Sequence, residues 1–208
     1  ESIFILFSFL FMYYLTKILE KKNLEYLPFA LIYLAVLFTI KETVIILLPV
    51  IVVICAYNYK QIKKIDFKGN IPIIMISLLI FFFIYSIFFT SFFTNLNGFI
   101  DSFKPYFPWM SRGLTEIGHD KPFYYFLFLL IQYELPLLLL GMIGLYYSFK
   151  SKSLFYKNIS FWFFIVFLGY SLIPYKTPWL VINITLPLCF LAGIGLIKIY
   201  EKNKKLGA

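Results

Sequence analysis

Charged residues are scarce in this chain, 14% of 208 residues, against about 25% in an ordinary soluble domain. Acidic groups are the scarcest: ten Asp and Glu stand against 19 Lys and Arg. A single histidine argues against a zinc site. The two cysteines, Cys55 and Cys189, lie in separate apolar runs without a CxxC spacing, so they read as small apolar side chains, not as a disulfide or a metal pair. No Ser-His-Asp order, P-loop, GxGxxG or HExxH occurs. Internal repeats, low-complexity tracts and heptad runs are also missing. The usual soluble-enzyme signatures are gone.

What remains is apolar. Hydrophobic residues make up 62% of the chain and aromatics 23%, with 27 Phe and 17 Tyr. A water-soluble fold of this size has too little interior to hide that surface. Lipid is the solvent that fits, and the expected fold is an all-α polytopic bundle, multi-pass in the cell membrane. The net charge of +9 sits in short lysine clusters between apolar runs. Such clusters set topology and meet anionic headgroups, so the lipid bilayer is the expected partner and nucleic acid is not. Residue 1 is Glu, leading into Ser2-Ile3-Phe4-Ile5 without the basic start of a signal peptide. The reading is that residues 1–208 form one transmembrane domain, the C-terminal part of a longer protein.

A crossing helix needs about 20 apolar residues. Seven segments are expected: Ser2–Leu19, Leu27–Ile40, Thr43–Tyr57, Ile71–Phe93, one within Pro122–Phe149, Ile159–Ile173 and Leu180–Tyr200. Lys41-Glu42-Thr43 interrupts the second apolar region, which is either one long helix or two short ones. Basic loops flank it on both sides, with Lys17, Lys21 and Lys22 before and Lys60, Lys63, Lys64 and Lys68 after. Positive loops belong in the cytoplasm, so the number of crossings between them is even and the helices are two. Lys150, Lys152 and Lys157 then fall inside, as do Lys198, Lys202, Lys204 and Lys205, which makes the C-terminus cytoplasmic. Five cations fall outside: Lys41, Lys104, Arg112, Lys121 and Lys176. The longest polar stretch, residues 94–121, becomes an external loop. The fifth segment is longer than a span requires. Either it tilts, or its first turns lie along the interface before Pro136.

The outer face collects the polar groups. Lys41, Glu42, Arg112, Glu116, His119, Asp120, Lys121, Glu134 and Lys176 fall there, with Tyr106, Trp109, Tyr124, Tyr125, Tyr133, Tyr175 and Trp179. Cations at that level suit a lipid phosphate, which Arg and Lys hold through charge-assisted hydrogen bonds. The aromatics suit sugar faces, or equally an interfacial belt. Glu134 is either a functional carboxylate at membrane depth or the marker of a helix N-terminus, where the dipole favours it. Lys41-Glu42 either holds a lipid-phosphate oxygen or wets the turn of a helical hairpin. The Lys176 turn, flanked by Pro174 and Pro178, is either aimed at the same headgroup or a plain surface turn. His119 is a candidate general base or a solvated loop residue.

Four segments taken together resemble a known family: Ile40-Lys41-Glu42-Thr43, His119-Asp120-Lys121-Pro122-Phe123-Tyr124-Tyr125, Tyr133-Glu134-Leu135-Pro136, and Pro174-Tyr175-Lys176-Thr177-Pro178-Trp179-Leu180. In order and spacing they are similar to an archaeal and bacterial branch of GT-C superfamily membrane glycosyltransferases, related to dolichyl-phosphate-mannose protein mannosyltransferases. The resemblance implies an enzyme that passes a sugar from a polyprenyl-phosphate donor to a protein, glycan or lipid acceptor at the outer face. It implies that Lys41, Glu42, His119, Lys121, Tyr133, Glu134 and Lys176 line the donor-phosphate and sugar side, and Arg112 and Tyr175 join them as outer-face candidates for the same donor. The family's catalytic acid belongs to an Asp-Glu dipeptide in the first external loop, and this chain has no Asp-Glu dipeptide. The catalytic residue is therefore expected outside these 208 residues. A divalent metal is compatible with such chemistry, but nothing in the sequence indicates one and no cofactor is assigned. The alternatives are a transporter or flippase for lipid-linked sugars, or a non-catalytic membrane subunit.

Overall fold

The computed structural model describes residues 1–108, 111 and 120–206. Among them the chain is helical, with no strand beyond a single antiparallel bridge between Asp120 and Tyr175. Four helices are long and apolar enough to cross a membrane: Ser2–Lys21, Ile71–Phe89, Leu154–Leu172 and Pro178–Lys204. A bent pair, Tyr125–Tyr133 with Leu135–Lys150, makes a fifth if it is one broken span. The two segments flanking Lys41 are helical but shorter, Leu24–Ile40 and Glu42–Tyr57. Four or five spans, not seven, thus meet the length of a full crossing. The chain divides into two compact units, residues 2–114 and residues 115–208 together with Glu1.

In the first unit, α1 (Ser2–Lys21), α2 (Leu27–Ile40), α3 (Leu47–Tyr57) and α4 (Ile71–Phe89) carry the apolar runs. Lys22 ends α1 in the left-handed region at φ 55, and the Asn23 side chain accepts from the Glu25 amide at 2.9 Å. That turn reverses the chain. Tyr14 stacks on Phe29 with centroids 5.1 Å apart and Phe7 meets Tyr33 at 5.7 Å, so α1 and α2 are antiparallel. Phe38 contacts Phe81 and Tyr85, at 6.1 and 6.3 Å, so the ends of α2 and α4 meet. The other end of α4 packs against the short helix Leu24–Tyr26. Helices α2 and α4 therefore run parallel, and Glu42–Tyr57 must return between them.

The break at Lys41 is real. Its backbone is extended at φ −162, ψ 144, ending α2 before a 3₁₀ turn over Glu42–Ile46. The two expected short helices form on either side of this break. After α3, the short helix Tyr59–Ile62 packs on α1. The lysines of residues 17–22 and 60–68 consequently share one end of this unit, and Lys41-Glu42 shares the other with residues 90–108.

Helix α4 stops at Phe89, four residues before the expected end. Ser91, Phe92 and Phe93 all take positive φ, between 49 and 66. Left-handed residues cannot continue a right-handed helix, and each costs about 1–2 kcal/mol without glycine. The turn recovers hydrogen bonds from Phe92 N to Ile87 O (2.8 Å) and from Phe93 N to Thr90 Oγ1 (3.0 Å). It folds Gly98 so closely onto the end of α4 that a Cβ there would overlap the Phe89 carbonyl. Glycine at 98 is required for that approach.

The second unit holds α5 (Tyr125–Tyr133), α6 (Leu135–Lys150), α7 (Leu154–Leu172) and α8 (Ile182–Leu206). Helices α5 and α6 meet at Glu134 with a bend of 111°. Pro136 has no N–H to give the Gln132 carbonyl, so the ladder fails there. Glu134 itself stays bonded through its backbone, N–H to Leu130 O and carbonyl to Leu138 N, both 2.9 Å. Helices α6 and α8 make the closest packing of the unit. A Cβ on Gly144 would overlap Leu191 O and one on Gly195 would overlap Leu140 O, the backbone-to-backbone approach that small residues allow between apolar helices. Gly141 faces Leu188 as Gly144 faces Leu191, so α6 and α8 are parallel and α7 returns between them. Lys150, Lys152 and Lys157 then share one end of this unit with Lys198, Lys202 and Lys204. Lys121 and Lys176 lie at the other.

Candidate functional site

Arg112, His119, Glu116 and Trp109 lie outside the described residues. The remaining candidates fall into two groups, one in each unit.

In the first unit, the extended residue Lys41 and the first residue of the 3₁₀ turn, Glu42, line a cleft of about 70 Å³ with Thr39, Ser102 and Tyr106. Phe38, Ile40, Phe89 and Pro105 form its apolar walls. Lys41 and Glu42 are both half-buried. The wall that carries Tyr106 is tied down from below: Tyr85 Oη and Ser102 Oγ are 2.7 Å apart, and Ser102 donates to Phe99 O at 2.6 Å. Burial, then the neighbouring Tyr85 and the Glu42 carboxylate, push the Tyr106 phenol up to about 12. Tyr106 is thus a neutral hydroxyl at any physiological pH. The cleft offers one ammonium, one carboxylate and two or three hydroxyls. That set can grip phosphate oxygens and sugar hydroxyls together.

In the second unit, Lys176 is only 2% exposed. Its ammonium donates to Ile173 O at 2.6 Å and to Lys121 O at 3.0 Å. The Lys121 amide returns a bond to Pro174 O at 3.2 Å. Burial lowers the Lys176 pKa, and the Asp120 carboxylate opposes that shift. Lys176 therefore staples residues 120–121 to the proline-flanked turn and turns its charge inward, away from the surface. Lys121 and Asp120 are left exposed, with Tyr175 half-buried beside them. Helix α5 packs on the short helix Pro178–Val181 and closes the group.

Glu134 and Tyr133 are exposed, Tyr133 by 69%. Glu134 sits where α6 begins, without a side-chain capping bond. Among the described residues no three His, Cys, Asp or Glu side chains gather into a metal-binding set.

Sequence reasoning missed Ser102 and Tyr85, which hold the Tyr106 wall. No pattern could have found them, because the contact depends on the left-handed turn at residues 91–93. No protein-family model, curated protein or solved structure matches this chain.

Proposed function

We propose that this chain crosses the cell membrane seven times with its C-terminus in the cytoplasm, and that it forms the donor-binding part of a GT-C type glycosyltransferase. Its donor is a sugar linked to a polyprenyl phosphate, bound at the outer face. One observation carries the proposal. In each unit separately, the segments of the family resemblance gather at the end opposite the lysine clusters. Lysine clusters mark the cytoplasmic side, so Lys41-Glu42 and Asp120-Lys121 fall where the headgroup of an outer-leaflet lipid lies. Seven crossings include the two short helices, which reach across if the bilayer thins or the Lys41 turn sinks below the surface.

The roles are assigned by the chemistry of each side chain. In the first unit Lys41 contacts phosphate oxygens and stabilises the charge that develops on a leaving lipid phosphate; in the second unit Lys121 offers a phosphate contact within its own group. Glu42 and Tyr106 accept from and donate to sugar hydroxyls. Lys176 is a positioning residue that fixes the Lys121 backbone. At about 70 Å³ the first cleft takes a phosphate or one edge of a sugar ring, since whole-ligand pockets run to roughly 300 Å³ or more. An inverting displacement needs a carboxylate base on the acceptor hydroxyl. The Asp-Glu dipeptide that the resemblance assigns to that task is not in these residues.

The test is sugar transfer by the full-length protein from radiolabelled polyprenyl-phosphate sugars. Lys41→Ala and Lys121→Ala should each lower kcat/KM about 10- to 100-fold, the loss of one charge-assisted phosphate contact. Normal kinetics in both variants would remove these lysines from the donor site. Movement of the lipid-linked sugar across vesicles without covalent transfer would assign a transporter in place of an enzyme.

A further inference from the structure

A second feature lies at the opposite, basic ends and is independent of the glycosyltransferase reading. Three lysines there fold back over a tyrosine four residues earlier on the same helical stretch. Lys63 Nζ stands 4.6 Å from the Tyr59 ring centroid, Lys150 Nζ 4.0 Å from that of Tyr146, and Lys17 Nζ 5.4 Å from that of Tyr13. Lys150 also donates to the Tyr146 hydroxyl.

The pairs differ in their surroundings, Lys17 being half-buried. Lys17 lies 3.7 Å from the Glu20 carboxylate. Neither Lys63 nor Lys150 forms a salt bridge among the described residues, and both stay exposed. Their tyrosines are exposed too, Tyr59 by 54% and Tyr146 by 56%. An exposed lysine normally extends into water to keep its hydration shell. These two instead lie back along the helix toward its apolar body, one face on an aromatic ring and the other face open.

In the sequence around each pair lysines predominate. Lys60, Lys64 and Lys68 surround Lys63, with Asp66 the nearby carboxylate, and the Asp66 side chain caps Gly69 N at 3.0 Å. Lys152 and Lys157 accompany Lys150 with no acidic residue in residues 140–160. A cation seated on a ring at the junction of an apolar helix and a polar loop lacks only an anion at the same depth. The ring supplies the apolar half of an interfacial site and the ammonium the charged half.

We infer that Tyr59–Lys63 and Tyr146–Lys150 are binding sites for the phosphodiester of an anionic phospholipid in the cytoplasmic leaflet, one site on each unit. The lipid phosphate closes the open side of the ammonium and its acyl chain runs along the helix below the tyrosine. A zwitterionic headgroup is disfavoured, because its own cation would meet the Lys63 and Lys150 ammoniums. Tyr13–Lys17 is the built-in contrast, since Glu20 already occupies its charge.

Lipid retention on the full chain in detergent, read by native mass spectrometry, tests this. Phosphatidylglycerol and phosphatidylcholine are the probes. Phosphatidylglycerol should be retained preferentially. Tyr59→Leu with Tyr146→Leu should cut that retention about 2- to 5-fold per site, the factor expected of an exposed cation–π contact. Tyr59→Phe should keep most of it at that site, Lys63→Gln with Lys150→Gln should lose it, and Tyr13→Leu should change nothing. Equal retention of the two lipids would overturn the inference, as would a double leucine variant that binds like the parent. A loss on Tyr→Leu with none on Lys→Gln would also overturn it, because the ring would then act without the ammonium.

Discussion

Replacing Lys176 by Met keeps the length of the buried side chain and removes its ammonium. The ammonium makes two bonds to carbonyls, at 2.6 and 3.0 Å. A hydrogen bond from a charged donor contributes about 1.5–3 kcal/mol. Part of that is offset, because burial disfavours the charged form and lowers the lysine pKa. The Lys121 carbonyl is also near solvent and can be rehydrated once released. We expect a net loss of about 2 kcal/mol at this junction. Its reporter is the Lys121 amide, bonded to Pro174 O at 3.2 Å. Hydrogen exchange there should accelerate about 30-fold in Lys176→Met, while amides of the Gly144–Leu191 contact stay unchanged. If exchange at Lys121 moves less than about twofold, Lys176 is not the staple and its charge is available to a ligand instead.

Three further predictions follow from packing and titration. Gly144→Ala should destabilise the α6–α8 contact by about 1–3 kcal/mol, because its Cβ meets the Leu191 carbonyl. Gly193→Ala, with open space at its Cβ, should be neutral or stabilising in the same thermal unfolding assay in detergent. Tyr85→Phe should cost about 1 kcal/mol and Ser102→Ala more, because Ser102 also donates to Phe99 O, and the double variant should cost little more than Ser102→Ala. Absorbance at alkaline pH should show Tyr106 ionising near 12, above the usual 10, and Glu42→Gln should bring it down. The sign is that the unfolded chain loses this proton first. Stability is therefore full below pH 10 and falls as pH rises from 10 to 12.

The charge pattern carried more of this fold than the apolar pattern did. Hydropathy alone could not divide residues 27–57, but the lysines on either side required a return, and α2 and α4 do run parallel. Pro136 announced a break in the fifth segment. Its 111° bend depends on how α5 packs against Pro178–Val181, which is a tertiary contact. The early stop of α4 was illegible, because Ser91, Phe92 and Phe93 do not look left-handed; Gly98, five residues on, was the only trace. Both readings of the Lys176 turn, aimed at a headgroup or plain surface, leave its ammonium outward, whereas the side chain is buried. Its burial comes from the partner segment at residues 120–121, some 55 residues away. The pairing of α6 with α8 was written in Gly141, Gly144 and Gly195, though spacing alone does not say which helix a small face will meet.

The central claim is that both lysine-rich ends face the cytoplasm and both motif ends face outward. Single cysteines placed at Lys104, Lys121, Lys68 and Lys152, in a background with Cys55 and Cys189 replaced by Ser, test it in intact cells. A membrane-impermeant maleimide should label positions 104 and 121 and reach 68 and 152 only after permeabilisation. Labelling of 68 or 152 in sealed cells, with 104 and 121 protected, would invert the map and move the proposed donor site to the wrong leaflet.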